Sequence, residues 1–115
     1  MNYGLFIQDS PASGEAFVSA ARFASAAIAR GHVIRQIFLY GDAVLAVSQP
    51  MPTGLLGLGR LAELATRHQI PLLACQSAIE RLGIAGDTGS PIAVGSLGQW
   101  FDASYEVDRV MSFVA

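Results

Sequence analysis

The chain has no lysine and only one cysteine among its 115 residues. Without lysine, Schiff-base catalysis and a phosphate-binding P-loop are excluded. One cysteine can form neither an internal disulfide nor a zinc site built from paired cysteines. The seven basic residues are all arginines and stand singly along the chain, so no basic stripe indicates direct nucleic-acid binding.

Charge of either sign is scarce as well. Charged residues make up 14% of the chain and hydrophobic residues 52%, whereas charged residues are about 25% of an average protein. The mean hydropathy is +0.44 and the net charge is −2. With so few charged residues, a small domain must leave part of its surface apolar. We expect this apolar surface to be buried against other subunits.

Targeting segments are not evident in the sequence. The N-terminus lacks the basic residues that open a secretory signal, and the alanine-rich run from Ala16 to Ala29 is too short to span a bilayer. We therefore expect no membrane association and a reducing, cytoplasmic location, in which a lone thiol persists. The length suits a single domain over residues 1–115.

Strand-like and helix-like segments alternate along the chain. Helices are predicted to open at Ser10–Pro11, to run from Leu58 to His68 and from Ala78 to Leu82 with Gly83 as its stop, and to begin again after Ser96 as N-cap. Strands are predicted at Tyr3–Gln8, Val33–Tyr40, residues 70–74, Ile92–Val94 and Asp108–Val114. Such alternation predicts an α/β fold, a three-layer α/β/α sandwich with a mostly parallel sheet of about five strands.

Smaller features lie between these elements. Gly31 is predicted to stop the first helix, and Ala43–Val47 to form a short helical turn. Segments Ser48–Gly57 and Ile84–Pro91 are predicted as loops, the first a candidate lid. Of the adjacent pair Trp100 and Phe101, one is expected to point outward.

Cys75 is the centre of the candidate site. It is predicted to lie where a strand ends and a helix begins, with Ser77 as N-cap and Glu80 as its capping-box partner. Ligands gather at this edge of a parallel sheet, and the positive end of a helix favours a thiolate, the reactive form of cysteine. The equally weighted alternative is that Cys75 is a small buried apolar residue.

Other polar residues are predicted to share this edge with Cys75. Asp9 and Asp42 follow strands, although turn residues that simply end strands would look the same. The predicted site-lining residues are Asp9, Tyr40, Asp42, Gln76 and Ser77. No metal or cofactor site is predicted: no GxGxxG follows the first strand, and His32 and His68 are interpreted as surface caps.

Several segments in order resemble the TusD/DsrE family of sulfur-relay proteins. They are Arg30–His32, Phe38–Asp42, Leu73–Ile84, Gly95–Trp100 and Asp108–Phe113. The resemblance implies a DsrE-like fold and a carrier whose cysteine, here Cys75, receives a persulfide sulfur and passes it on without a cofactor. It also implies partner proteins that donate and accept sulfur, and assembly as a hetero-hexamer with related small subunits or as a homo-oligomer.

Two questions stay open at the level of sequence. The carrier could serve tRNA 2-thiouridine formation or cytoplasmic sulfur oxidation, since residues 48–60 lack the acidic residues and tryptophan of the tRNA-thiolation members. The chain could instead be a non-catalytic structural subunit of a DsrEFH/TusBCD-like complex with an inert Cys75, or a small-ligand binding module.

Overall fold

The computed structural model describes residues 1–12, 15–47, 56–84 and 92–114 of the chain. Strands and helices alternate through these residues. The strands are β1 (Asn2–Ile7), β2 (Val33–Leu39), β3 (Leu72–Cys75), β4 (Ala93–Gly95) and β5 (Arg109–Phe113). The helices are α1 (Glu15–Ala29), a 3₁₀ helix (Gly41–Val47), α2 (Leu56–Arg67), α3 (Gln76–Leu82) and α4 (Leu97–Ser104).

The described strands form one sheet in the order β4-β3-β2-β1-β5. Every neighbouring pair is parallel, which confirms the predicted α/β class. In a parallel sheet all strands end at the same edge, here called the carboxyl edge. The Cys75 backbone lies at this edge, between β2 and β4.

The sheet has helices on both faces. Successive side chains of a strand point to opposite faces, so Tyr3 and Phe6 mark different sides of β1. Tyr3 meets Phe23 of α1 edge-on at 5.0 Å between ring centroids, whereas Phe6 lies 5.2 Å from Trp100 of α4. Helices α1 and α2 contact each other. The predicted three-layer arrangement is therefore confirmed, with α1 and α2 on one face and α4 on the other.

The α4 face is held by an aromatic cluster around Trp100. The Trp100 ring is 6% exposed and packs on Phe38 at 5.8 Å as well as on Phe6. Its carbonyl accepts a hydrogen bond from Nε2 of the buried Gln36 at 3.3 Å. Phe101 is 59% exposed, which confirms that one member of the adjacent pair points outward.

The first helix begins later than predicted. Ser10 and Pro11 do not open it; α1 begins at Glu15, and Pro11 lies in a turn. The Ser10 hydroxyl accepts a hydrogen bond from the Ala12 amide at 3.2 Å. This hydrogen bond stabilises a local turn at Ser10–Ala12, ahead of α1.

The predicted stops are confirmed where they can be seen. Gly31 and Gly83 have φ angles of 85° and 69°, the left-handed conformation that glycine adopts at helix ends. Most of the predicted loops, residues 48–55 and 85–91, lie outside the described residues. Leu56 and Gly57 belong to α2, so the first loop ends earlier than Gly57.

Ser96 caps α4 as the sequence predicts. Its hydroxyl accepts from the Gln99 amide at 3.2 Å, and the Gln99 side chain accepts from the Ser96 amide at 2.7 Å, forming a capping box. Replacing Ser96 with alanine is expected to lower the free energy of unfolding by about 1 kcal/mol. Urea denaturation measures this, with Ser19→Ala as the control. Ser19 is exposed within α1, where alanine is the better helix former and should stabilise by a few tenths of a kcal/mol. Equal losses in both variants would contradict the capping role.

Candidate functional site at the end of the third strand

Cys75 is both the last residue of β3 and the N-cap of α3. Its backbone is extended, with φ −65° and ψ 120°, and its side chain makes no capping hydrogen bond. The predicted capping box of Ser77 and Glu80 is wrong, because α3 begins at Gln76 and Ser77 lies inside its first turn. The side chain of Gln76 donates to Glu80 Oε1 at 3.3 Å instead. The strand passes into the helix without a spacer, so Cys75 takes the position predicted for Ser77.

Cys75 is buried in the single chain, with 1% of its surface exposed. The 3₁₀ helix contacts both β3 and α3, and its buried residues are 0–2% exposed. By contrast, α3 is held by only two buried residues, Ala78 and Ile79. The 3₁₀ helix that packs against this strand-to-helix junction is therefore deeply buried, whereas α3 is weakly packed.

Two of the predicted site-lining residues, Tyr40 and Asp42, closely follow β2, the strand beside β3. Tyr40 is half-buried; its amide donates to the Ile7 carbonyl at 2.8 Å and its ring stacks on Phe6 at 5.6 Å between centroids. Asp42 is exposed in the first turn of the 3₁₀ helix. Tyr40 is thus held rigidly at the carboxyl edge, whereas the Asp42 carboxylate faces solvent.

The other three predicted site-lining residues lie in two different parts of the chain. Gln76 and Ser77 follow Cys75 directly in α3, and both are exposed. Asp9 follows β1, which is two strands from β3 in the sheet. Two strand spacings amount to about 10 Å, so the carboxyl edge alone does not bring Asp9 against the thiol.

Sequence reasoning missed the neighbours on the other side of Cys75. In the β3–β4 ladder Cys75 is paired with Gly95. A Cβ at Gly95 would lie 2.9 Å from Gln99 Oε1 and 3.1 Å from Leu73 Cδ1, so this glycine permits close packing beside the thiol. The signal was present, since Gly95–Ser96 is a second strand-to-helix junction. The parallel pairing of β3 and β4 was what the sequence did not reveal.

Within the described residues, no group of three or more histidine, cysteine, aspartate or glutamate side chains could hold a metal ion. None of the described helices combines the length and the apolar character needed to cross a membrane.

Comparison with known proteins assigns the chain to a family. The pattern of the DsrE/DsrF-like family matches residues 1–113. The chain belongs to the DsrE/DsrF-like family. This confirms the resemblance found in the sequence segments.

Curated relatives of this DsrE/DsrF-like chain carry sulfurtransferase names. A DsrE sulfurtransferase of Allochromatium vinosum is 29% identical, and the alignment covers 98% of each chain. A sulfurtransferase TusD homolog of Aliivibrio fischeri is 32% identical over 96% of this chain and 97% of its own. The TusD homolog of Pseudomonas aeruginosa is 29% identical over 98% and 97%. The similarity therefore spans whole chains.

Solved structures share the fold of this family member. The YchN protein of E. coli superposes with a TM-score of 0.76 at 19% identity, over 98% of this chain and 99% of its own. A conserved protein of unknown function from Bacteroides thetaiotaomicron gives a TM-score of 0.64 at 23% identity, over 95% and 93%. These two likenesses confirm the DsrE-like fold of the chain.

Proposed function

We propose that this chain is a sulfur carrier that accepts a persulfide sulfur on Cys75 and passes it to a partner protein. The observation that carries the proposal is the position of Cys75, the chain's one cysteine, at the end of β3 and the start of α3 in a family whose curated relatives are named sulfurtransferases. A carrier of this kind needs one thiol and no second cysteine on the same chain.

Sulfur transfer through Cys75 takes two balanced steps. The Cys75 thiolate attacks the outer sulfur of a donor persulfide; the new S–S bond forms as the donor's S–S bond breaks, and the donor leaves as a thiolate. A thiolate of the acceptor protein then attacks the outer sulfur on Cys75, and Cys75 leaves as a thiolate. Each step exchanges one S–S bond for another, so no external oxidant or reductant is needed.

The polar residues around the thiol have positioning roles in this proposal. Tyr40, stacked on Phe6, is fixed at the end of β2, and on the β4 side Gly95 lets Gln99 and Leu73 pack closely beside Cys75. Gln76 and Ser77 are exposed at the start of α3, where an incoming partner would meet them first. Asp9 and Asp42 carry no chemical step, although their carboxylates would contribute to the charge that a partner meets at this edge.

The burial of Cys75 favours a second candidate. A thiol that is 1% exposed cannot meet a partner's sulfur without some movement of the chain. In the alternative, Cys75 is an inert part of the core and the protein is a structural subunit of a DsrEFH/TusBCD-like complex. The two candidates differ in whether the native protein gives the thiol access to reagents.

Association with other subunits belongs to both candidates. Large apolar side chains remain exposed on the α4 and β5 side, among them Tyr105 at 88% and Val114 at 60%. We propose a hetero-hexamer with related subunits or a homo-oligomer, acting in the cytoplasm, in tRNA thiolation or in sulfur oxidation. Exposed apolar area of this kind supports burial against other subunits.

Intact-protein mass spectrometry tests the carrier role. After incubation with glutathione persulfide under native conditions, the wild-type protein is expected to gain one sulfur atom that a reducing agent removes. Cys75→Ser is the matched control and is expected to gain none. A wild-type protein that gains no sulfur, and whose Cys75 is also slow to alkylate, would leave the structural subunit as the better account.

A further inference from the structure

A groove runs between α1 and α2 on the outer surface of the molecule. It has a volume of about 940 Å³, and small-molecule sites usually have volumes of about 300–1,000 Å³. Its uncharged lining residues are small, and they are Val18, Ala21, Ser25, Ala26, Ala29, Gly57 and Gly59. None of the lining residues belongs to the Cys75 site. The groove therefore offers room for a small molecule and a largely apolar floor on which its body can lie.

Two arginines, one on each helix, make this groove positive. Arg22 of α1 and Arg60 of α2 line it and are exposed. The third charged lining residue, Glu63, is paired with Arg67 of its own helix at 2.6 Å. Within the described residues, no carboxylate lies within ion-pair distance of Arg22 or Arg60. Both guanidinium groups can therefore bind an anion. We call this surface the basic groove.

Arg60 reaches across the groove from α2 to α1. Its Nη2 donates to the Ser25 hydroxyl at 3.5 Å, longer than the usual range of about 2.7–3.2 Å. An anionic oxygen is a stronger acceptor for a guanidinium than a neutral hydroxyl is. Arg22 precedes Ser25 by three residues, so the two are neighbours on one side of α1. Gly57 and Gly59 belong to the first turn of α2, the positive end of that helix. All these groups favour negative charge in the same groove.

We propose that the basic groove binds a small molecule with a dianionic phosphate group, held by Arg22, Arg60 and the Ser25 hydroxyl. Two guanidinium groups match the charge of a phosphate monoester, whose three terminal oxygens can accept from both arginines and the hydroxyl at once. A carboxylate has one charge and two oxygens, so it would leave one arginine uncompensated. The organic body of the ligand would lie on the small residues of the groove, which is far larger than a phosphate group alone.

The contact between Arg60 and Ser25 favours a small ligand over a helix of a partner protein. It bridges α2 and α1 across the groove, so a helix laid along the groove would have to displace the whole side chain. A phosphate group needs only a turn of the guanidinium from the hydroxyl to the anion. The inference goes beyond the proposed sulfur chemistry, and it uses no residue of the Cys75 site.

Isothermal titration calorimetry with phenyl phosphate tests this site at about pH 8, where a phosphate monoester with a second pKa of about 6 carries two charges. Wild type is expected to bind phenyl phosphate at one site per chain. Phenyl sulfate and inorganic phosphate are each expected to bind at least about fivefold more weakly, because the first lacks one charge and the second lacks the apolar ring. Arg22→Gln with Arg60→Gln is expected to weaken phenyl phosphate binding at least about tenfold, since hydrogen bonds to a charged group are lost.

The matched control is Arg35→Gln with Arg81→Gln, which removes the same charge from exposed arginines outside the basic groove. It is expected to bind phenyl phosphate like wild type in about 0.15 M salt, where charges are screened beyond about 8 Å. Vesicles of phosphatidylcholine with phosphatidic acid present the same group on a lipid, and they are expected not to sediment the protein. Circular dichroism confirms that each variant is folded.

Three results would each overturn the proposal. The first is a wild type that does not bind phenyl phosphate, whether or not it sediments with the vesicles. The second is equal affinity for phenyl phosphate and either phenyl sulfate or inorganic phosphate. The third is an equal loss of affinity in the groove variant and in the control variant, which would show that net charge and not the groove holds the ligand.

Discussion

Replacing Ile79 with alanine is expected to raise the rate of Cys75 alkylation in the native protein about 30-fold. Ile79 is 6% exposed and is one of two buried residues of α3. Removing its side chain lowers the free energy of detaching α3 by about 2 kcal/mol, and this amount corresponds to about a 30-fold larger open population. When closing is faster than alkylation, the rate follows that population.

We expect detachment of α3 to expose the thiol at a lower cost than displacement of the 3₁₀ helix would. The residues of α3 from Gln76 to Leu82, apart from Ala78 and Ile79, are already exposed. They therefore lose little buried surface when the helix detaches. Displacing the 3₁₀ helix would expose two valines and two alanines that are now almost fully buried. Since burial of a valine or isoleucine stabilises by about 1.5–3 kcal/mol, the 3₁₀ helix is the more strongly held element.

Leu64→Ala is the matched control for Ile79→Ala. Leu64 is 8% exposed in α2, and its truncation should lower global stability by a similar amount while leaving α3 in place. Alkylation of this control is expected to stay close to the wild-type rate. The Ile79→Ala rate should also depend only weakly on urea, because a local opening exposes little surface. Equal acceleration in both variants would show that Cys75 is reached by global unfolding and would favour the structural subunit.

The order of elements could be predicted from the sequence because each carries a local signal. The apolar run of β2 and the helical spacing of α2 are properties of short segments, and the glycine stops at Gly31 and Gly83 are single-residue signals. Parallel pairing then followed from the alternation of strands and helices. The sheet order β4-β3-β2-β1-β5 has no local signal, since it depends on which strands meet over long distances.

The position of Cys75 between a strand and a helix was predictable, but the details of its surroundings were not. The strand-to-helix junction identified Cys75. The N-cap, however, is Cys75 itself and not Ser77, because β3 passes into α3 with no residue between them. Cys75 is buried, and the 3₁₀ helix contacts β3 and α3 although it lies far from both along the chain. The approach of Gly95 depends on strand register. These features depend on tertiary contacts, which the spacing of residues along the chain does not reveal.

Replacing Gly57 with alanine is expected to lower the free energy of unfolding by about 3 kcal/mol. Gly57 lies in the first turn of α2, where α2 approaches the backbone of α1. A Cβ there would lie 2.5 Å from the Val18 amide nitrogen and 2.8 Å from the Phe17 carbonyl carbon. Both are backbone atoms of a helix, so the two helices must separate, and such overpacking costs about 1–3 kcal/mol or more. Urea denaturation at a dilute protein concentration measures the loss.

At Gly59, two residues further along α2, the same substitution by alanine is expected to change stability in the opposite direction. Apart from its chain neighbours and the backbone of its own helix, no described atom lies within 4 Å of a Cβ at this position, and the residue is inside a helix, where alanine is favoured over glycine by about 1 kcal/mol. Gly59→Ala is therefore expected to stabilise the monomer. Destabilisation by Gly59→Ala as large as that by Gly57→Ala would contradict the close helix contact as the cause, since helix propensity and space both favour alanine at position 59.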